Sequence, residues 1–151
     1  MADALVDVPA LEAMSQAELD DLFRASPAGD IPNGKADGTV LIAPGTALTE
    51  TAAKLAHLLA WKGKVFDPER GELRNEVFLT GILAIQAKVY KGASWFDGGE
   101  CIVLDYSHTS LVAHWIRDEI RLVAPDLYLG IVFWDHAKLI DFALRFPAAD
   151  G

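Results

Sequence analysis

Polar residues that alternate in step with apolar ones are the candidates for chemistry in this sequence. Asn75 falls in step with Leu73 and Val77, and the pair Asp105 and Tyr106 ends an apolar run. Residues two apart in a strand share a face, so we expect these polar side chains to point toward a core. A carboxylate in such a place needs a partner, or it loses its charge. The pattern predicts acid–base chemistry or ligand binding there.

Asp105 is the candidate general acid or base, and Tyr106 the candidate hydrogen-bond donor beside it. The residues expected to line a binding site supply aromatic surface, an amide or a positive charge, and they are Asn75, Trp61, Tyr90, Tyr128 and Arg121. A mainly apolar cavity with a few polar groups is the usual composition of a ligand site. The alternative for Asp105 is structural, because an acid at a strand end can cap the polar residues 107–110 that follow.

Several familiar chemistries lack their motifs. The chain has no Gly-x-Ser-x-Gly elbow and no glycine-rich phosphate loop. Its one cysteine, Cys101, opens an apolar run, which predicts a small buried thiol, and no Cys/His spacing resembles a zinc site. We therefore expect neither a metal nor a cofactor.

Composition limits the partners. The 151 residues carry a formal charge of −9, and the 13 Lys and Arg form no run, so nucleic acid is not an expected partner. No stretch approaches the roughly 18 apolar residues of a membrane span, and the N-terminus does not resemble a secretory signal, so we expect a cytoplasmic protein. The apolar fraction of 52% fits either a thick core or an apolar pocket or homodimer interface.

The N-terminal part has helix signals. Residues 1–14 are expected to be an arm, and Ser15 with Glu18 forms a capping box for a helix over 16–25. Turn-forming residues crowd 27–38, and 39–42 is a short β-rich run. An apolar face with a glycine after it predicts a second helix over 46–62.

From residue 64 the apolar period changes to two, which predicts strands. The turns between them include Asp97-Gly98-Gly99-Glu100 and residues 135–138. Residues 110–123 fit two patterns. A helical stripe that includes Ile116 and Ile120 favours a helix, and the alternative is a strand in which Ile116, Asp118 and Ile120 share a face.

The predicted fold is α+β and mainly antiparallel β. Sequential strands joined by short turns indicate a curled meander sheet or small barrel of six or seven strands. Two N-terminal helices and one helix near 110–123 accompany it. Residues 15–147 form the single predicted domain, and 148–151 a short tail.

The run Trp61-Lys62-Gly63-Lys64-Val65-Phe66 resembles the small bacterial domains named for a Gly-x-Trp-x-Gly signature, although Leu59 stands in place of the first glycine. Tyr90-Lys91-Gly92, the strand with Asp105-Tyr106, and Leu129-Gly130 are similar in order and spacing to those domains. The order of acid and aromatic at Asp105-Tyr106 is reversed. The resemblance covers residues 59–146 and extends to calycin barrels, and it implies a lipocalin-like barrel.

Three functions follow as hypotheses. The first is binding of a small, mostly apolar organic molecule in a lipocalin-like barrel. The second is a small isomerase, cyclase or hydrolase that uses the same pocket, with Asp105 as acid or base and Tyr106 or Tyr128 as donor. The third is a homodimeric interaction module that associates through the helix at 46–62 or through an exposed strand edge.

Overall fold

The computed structural model describes residues 6–41, 63–77, 83–106 and 116–147 of the chain. Along these residues two helices precede eight strands. The helices are α1 (Val8–Glu12) and α2 (Gln16–Ala25). The strands are β1 (Gly34–Leu41), β2 (Gly63–Asp67), β3 (Glu72–Val77), β4 (Leu83–Ala93), β5 (Glu100–Asp105), β6 (Ile116–Ala124), β7 (Leu127–Trp134) and β8 (Ala137–Arg145). The protein is α+β and mainly antiparallel β, as predicted.

Side-chain caps start both helices. The Asp7 carboxylate accepts a hydrogen bond from the Ala10 amide at 2.9 Å and begins α1, which lies in the part of the chain expected to be an arm. At α2 the predicted capping box is confirmed. Ser15 Oγ accepts from the Glu18 amide at 3.1 Å, and the Glu18 carboxylate accepts from the Ser15 amide at 2.9 Å. The helix predicted over 46–62 lies outside the described residues.

The sheet is a closed meander barrel. Each strand pairs antiparallel with the next, and β1 also pairs with β8 from Asp37↔Arg145 to Leu41↔Asp141. The predicted barrel is therefore confirmed, with eight strands instead of six or seven. The predicted turns are confirmed as well, since Gly98 has a φ of +78° and Asp135 and His136 take the positive φ values of a two-residue hairpin.

The helix predicted near 110–123 is wrong where the structure describes it. Residues 116–124 are strand β6, which pairs with β5 on one side and β7 on the other. Ile116 and Ile120 are four residues apart, a spacing that fits one face of a helix and equally one face of a strand. Pairing with two apolar neighbours decides in favour of the strand, as tertiary packing often overrides a local pattern.

The inner face of the barrel forms one apolar core. The strand residues buried in it are Ala36, Phe66, Ala87, Val89, Ile102, Leu104, Ile120, Tyr128, Val132, Ile140, Phe142 and Leu144. The Phe142 ring lies against the backbone of Gly130, where an added Cβ would come within 2.2 Å of it. Only glycine gives the ring that room, so this large side chain fills the interior beside β7.

Segment 27–31 closes one end of the barrel. Ala28 is buried in the inner core. The Leu122 amide donates to the Pro27 carbonyl at 2.9 Å, and Tyr128 Oη donates to the Asp30 carbonyl at 2.6 Å. Since β6 ends and β7 begins at this end, the segment lies where β1 also starts.

A second apolar core lies outside the barrel, beneath the helices. Its buried members come from α1, α2, β1, β7 and β8, and they are Leu11, Leu19, Phe23, Leu41, Leu127, Leu129, Ile131, Phe133 and Ala143. Both faces of β7 are therefore buried, which explains the continuous apolar run of that strand. The two cores together account for much of the apolar surplus of the sequence.

Candidate functional site

A buried carboxylate and a phenol lie together inside the barrel. Asp118 alternates along β6 with Ile116 and Ile120 of the inner core, and it is 1% exposed. Tyr106, directly after β5, is 2% exposed and belongs to the same core. Tyr106 Oη donates a hydrogen bond to Asp118 Oδ2 at 3.3 Å. The pair places a polar group against an apolar lining.

The surroundings of Asp118 are apolar. Its register partners are Leu104 of β5 and Val132 of β7. Trp134, partly buried against the inner core, is the register partner of Ile116 one step along the same face. Four residues of β6 separate Asp118 from Leu122, which is about 13 Å at the usual rise of a strand. The polar pair is therefore distant from the end that segment 27–31 closes.

Sequence reasoning did not single out Asp118 as a site residue. The signal was nevertheless present, because the strand alternative for 110–123 puts Asp118 on one face with Ile116 and Ile120. The helical interpretation places Asp118 on a solvated face instead. Once β6 is a strand, the alternation takes this carboxylate into the barrel.

Asp105 and Tyr106 lie on opposite faces of the sheet. Adjacent strand residues alternate, so Asp105 points away from the inner core that holds Leu104 and Tyr106. Asp105 Oδ2 accepts a hydrogen bond from Tyr90 Oη at 2.9 Å, and Tyr90 is 40% exposed. Burial and this bond raise the pKa of Tyr90 above its ordinary value. The structure therefore joins Asp105 to Tyr90 on the outer wall.

Tyr128 lies inside the barrel at its closed end. Its hydroxyl donates to the Asp30 carbonyl, and its ring meets Phe146 edge-on with centroids 5.6 Å apart. Burial raises the pKa of Tyr128 to about 12, so the phenol remains protonated at neutral pH. Tyr128 shares the inner core with Tyr106, and it fixes segment 27–31 to the barrel.

Arg121 lies on the outer face of β6 and is 2% exposed. Its guanidinium makes a bidentate pair with Asp97, with both N–O distances at 2.7 Å, and donates to the carbonyls of Glu100 and Phe23. It also stacks over the Phe23 ring, 4.5 Å from the centroid. The hydrogen bond from Arg121 lowers the pKa of Asp97 to about 2. These contacts hold α2 and the β4–β5 turn against the barrel.

The other two predicted binding residues are only partly placed. Asn75 lies in β3, in register with Lys64 of β2 and Ile85 of β4. Trp61 lies outside the described residues.

Glu119 and Cys101 form a second buried polar group, on the outer face. The Glu119 carboxylate accepts from Ser94 Oγ at 2.5 Å and from the Trp95 amide at 2.7 Å, and it pairs with Arg117 at 3.1 Å. Cys101 is buried as predicted, and burial, with Glu119 nearby, raises the pKa of its thiol to about 12. A protonated thiol is a poor nucleophile, so this cluster fixes the β4–β5 turn instead of offering chemistry.

The described residues show no group of three or more His, Cys, Asp and Glu side chains arranged to hold a metal ion. No helix in the described part of the chain is long and apolar enough to cross a membrane.

Comparison with known proteins supports the fold. Neither a protein-family model nor a curated protein sequence matches the chain. A crystal structure of a protein from Thermomonospora curvata is similar, with a TM-score of 0.60 and 17% sequence identity over 89% of each chain. At that identity the likeness concerns the fold alone, and it is compatible with a barrel.

Proposed function

We propose that the barrel binds one small, mostly apolar organic molecule in its interior. The observation that carries the proposal is the buried pair of Asp118 and Tyr106 within an otherwise apolar and aromatic lining. Barrels of eight strands either fill their interior with side chains or hold one small ligand. An apolar lining with a few placed polar groups is the composition of such ligand sites.

The contrast between the two faces of the sheet supports the interior as the site. On the outer face, Arg121 and Glu119 are each held by several hydrogen bonds that serve the docking of the β4–β5 turn. Inside, the polar pair contributes to neither the helices nor the turns among the described contacts. A polar group in an apolar core costs stability, which a bound ligand can offset.

The lipocalin-like interpretation belongs to this proposal. The sequence resembles Gly-x-Trp-x-Gly domains and calycin barrels, and binding small apolar molecules is what that resemblance implies. The closed meander barrel is the architecture that such binding requires. Membership of either family remains a proposal.

Uptake of the environment-sensitive dye Nile red tests the proposal. We expect saturable binding with an increase in dye fluorescence. In Val89→Trp a large side chain is added to the inner core, so we expect the affinity for the dye to fall by at least about tenfold. The matched control is Lys88→Trp, since Lys88 is the exposed neighbour on the same strand and its replacement leaves the interior unchanged.

Circular dichroism of both variants establishes that each is folded. Dye binding that does not saturate, or that Val89→Trp and Lys88→Trp reduce equally, would place the dye on the surface and contradict the proposal.

The second candidate function is an isomerase, cyclase or hydrolase that uses the same interior. The 3.3 Å contact between Tyr106 Oη and Asp118 Oδ2 favours it, because a carboxylate beside a phenol can move a proton to or from a bound molecule. Asp118 would then take the role that the sequence analysis gave to Asp105. Asp118→Asn that binds the molecule purified with the protein but no longer converts it would support the enzyme; unchanged conversion would exclude it.

The homodimeric module also remains a proposal. The closed barrel leaves no free strand edge between its paired strands, so an edge-to-edge dimer is not supported. The large apolar side chains exposed among the described residues are Tyr90 and Trp95, both on the outer wall. Sedimentation velocity at micromolar concentration distinguishes a dimer through another surface from a monomer.

A further inference from the structure

Asp118 differs from the rest of the inner lining in its charge. Among the inward-facing side chains that the structure describes, it alone is a carboxylate, and its register partners Leu104 and Val132 are apolar. An ionised carboxylate accepts hydrogen bonds at two oxygens with about four lone pairs, and it donates none. A molecule that enters this part of the barrel therefore meets capacity for donors.

The contact with Tyr106 leaves room for a further donor. The Oη–Oδ2 distance is 3.3 Å, which is longer than the roughly 2.5–2.7 Å of a tight hydroxyl–carboxylate bond. A carboxylate oxygen can accept a second hydrogen bond beside such a contact. The Tyr106 hydroxyl oxygen can itself accept one while it donates to Asp118.

We infer that the ligand of the barrel carries a hydrogen-bond donor, an amine or a hydroxyl group, at its polar end. Asp118 accepts that donor with Tyr106 beside it, and the apolar remainder of the ligand lies against the aromatic lining. This inference rests on the proposed function and gives the chemical class of its ligand. An anionic group in the same position would meet the charge of Asp118 in apolar surroundings, where like charges repel strongly.

Three straight-chain probes of equal length test the inference: decylamine, decanol and decanoic acid. Each is titrated against the protein loaded with Nile red, and the displacement of the dye gives its affinity. We expect decylamine and decanol to displace the dye, and decanoic acid to bind at least about tenfold more weakly than decylamine.

Asp118→Asn removes the charge with almost no change in volume. In this variant we expect the disadvantage of decanoic acid relative to decylamine to shrink to within about threefold. Asp37→Asn is the matched control, because Asp37 is exposed on β1 and the same chemical change there leaves the interior intact. We expect this control to keep the discrimination of the wild-type protein.

The outcomes separate the inference from the function on which it rests. Decanoic acid that binds the wild-type protein as tightly as decylamine would overturn the inference and leave ligand binding in place. If none of the three probes competes and the dye itself does not bind saturably, both are overturned. The comparison of probes on the wild-type protein needs no variant, so it decides the question even if Asp118→Asn does not fold.

Discussion

At the scale of single residues, Arg121 joins more parts of the molecule than any other side chain discussed above. It pairs with Asp97 in the β4–β5 turn, donates to the carbonyl of Phe23 at the end of α2, and donates to that of Glu100 at the start of β5. Removing one partner of a buried ion pair leaves the other uncompensated. We expect Arg121→Ala to lower the free energy of unfolding by about 3 kcal/mol, measured by urea denaturation.

The matched control for this prediction is Arg24→Ala. Arg24 forms an exposed pair with Asp21, so its removal is expected to cost less than about 1 kcal/mol. An equal loss in both variants would mean that the buried contacts of Arg121 do not anchor the turn.

At the scale of elements, a polar network fixes α2 to β8. Gln16 Nε2 donates to Asp20 and to Asp141, each at 2.9 Å, and Lys138 Nζ lies 2.6 Å from Asp20 and 3.1 Å from Asp141. Asp141 is almost fully buried, and in the described residues its Oδ2 has no hydrogen-bond partner. Burial raises the pKa of Asp141, although Lys138 and Gln16 act against the shift. The docking of the helix is therefore sensitive to the charge of this residue.

The sign of the pH dependence follows from the raised pKa. Asp141 holds its proton more tightly in the folded than in the unfolded protein, so its stabilising contribution is complete below the unfolded pKa. That contribution is lost as the pH rises through the folded pKa. Asp141→Asn cannot lose it. We expect the unfolding free energy of Asp141→Asn minus that of the wild type to increase between about pH 4 and pH 7, as measured by urea denaturation.

Asp21→Asn, at an exposed position of the same helix, serves as the control, and its difference from the wild type should change little over that range. A difference for Asp141→Asn that falls with pH would mean that the ion pair with Lys138 outweighs burial.

At the scale of the whole molecule, local signals predicted most of the fold. The capping box of Ser15 and Glu18, the glycines of the β4–β5 turn and the period-two runs are short-range patterns, and each predicted its element. The helix near 110–123 was wrong because Ile116 and Ile120 satisfy both periods, and only pairing with β5 and β7 distinguishes them.

The site was harder to predict than the fold, for a geometrical reason. Alternation alone cannot say which face of a strand points inward when both faces are buried, as on β5, where Cys101 and Val103 are as buried as Ile102 and Leu104. Tyr106 was therefore placed in the core correctly, whereas Asp105 lies on the outer wall. Asp118 was missed because its strand was interpreted as a helix.

The central claim is that the barrel holds a small organic molecule, and native mass spectrometry of the protein purified from its own host tests it most directly. We predict a species heavier than the chain by the mass of one small molecule, which collisional activation releases, and which is absent from Val89→Trp but present in Lys88→Trp. A protein that has the bare mass of the chain in all three cases, and that takes up no apolar probe when one is added, would contradict the claim.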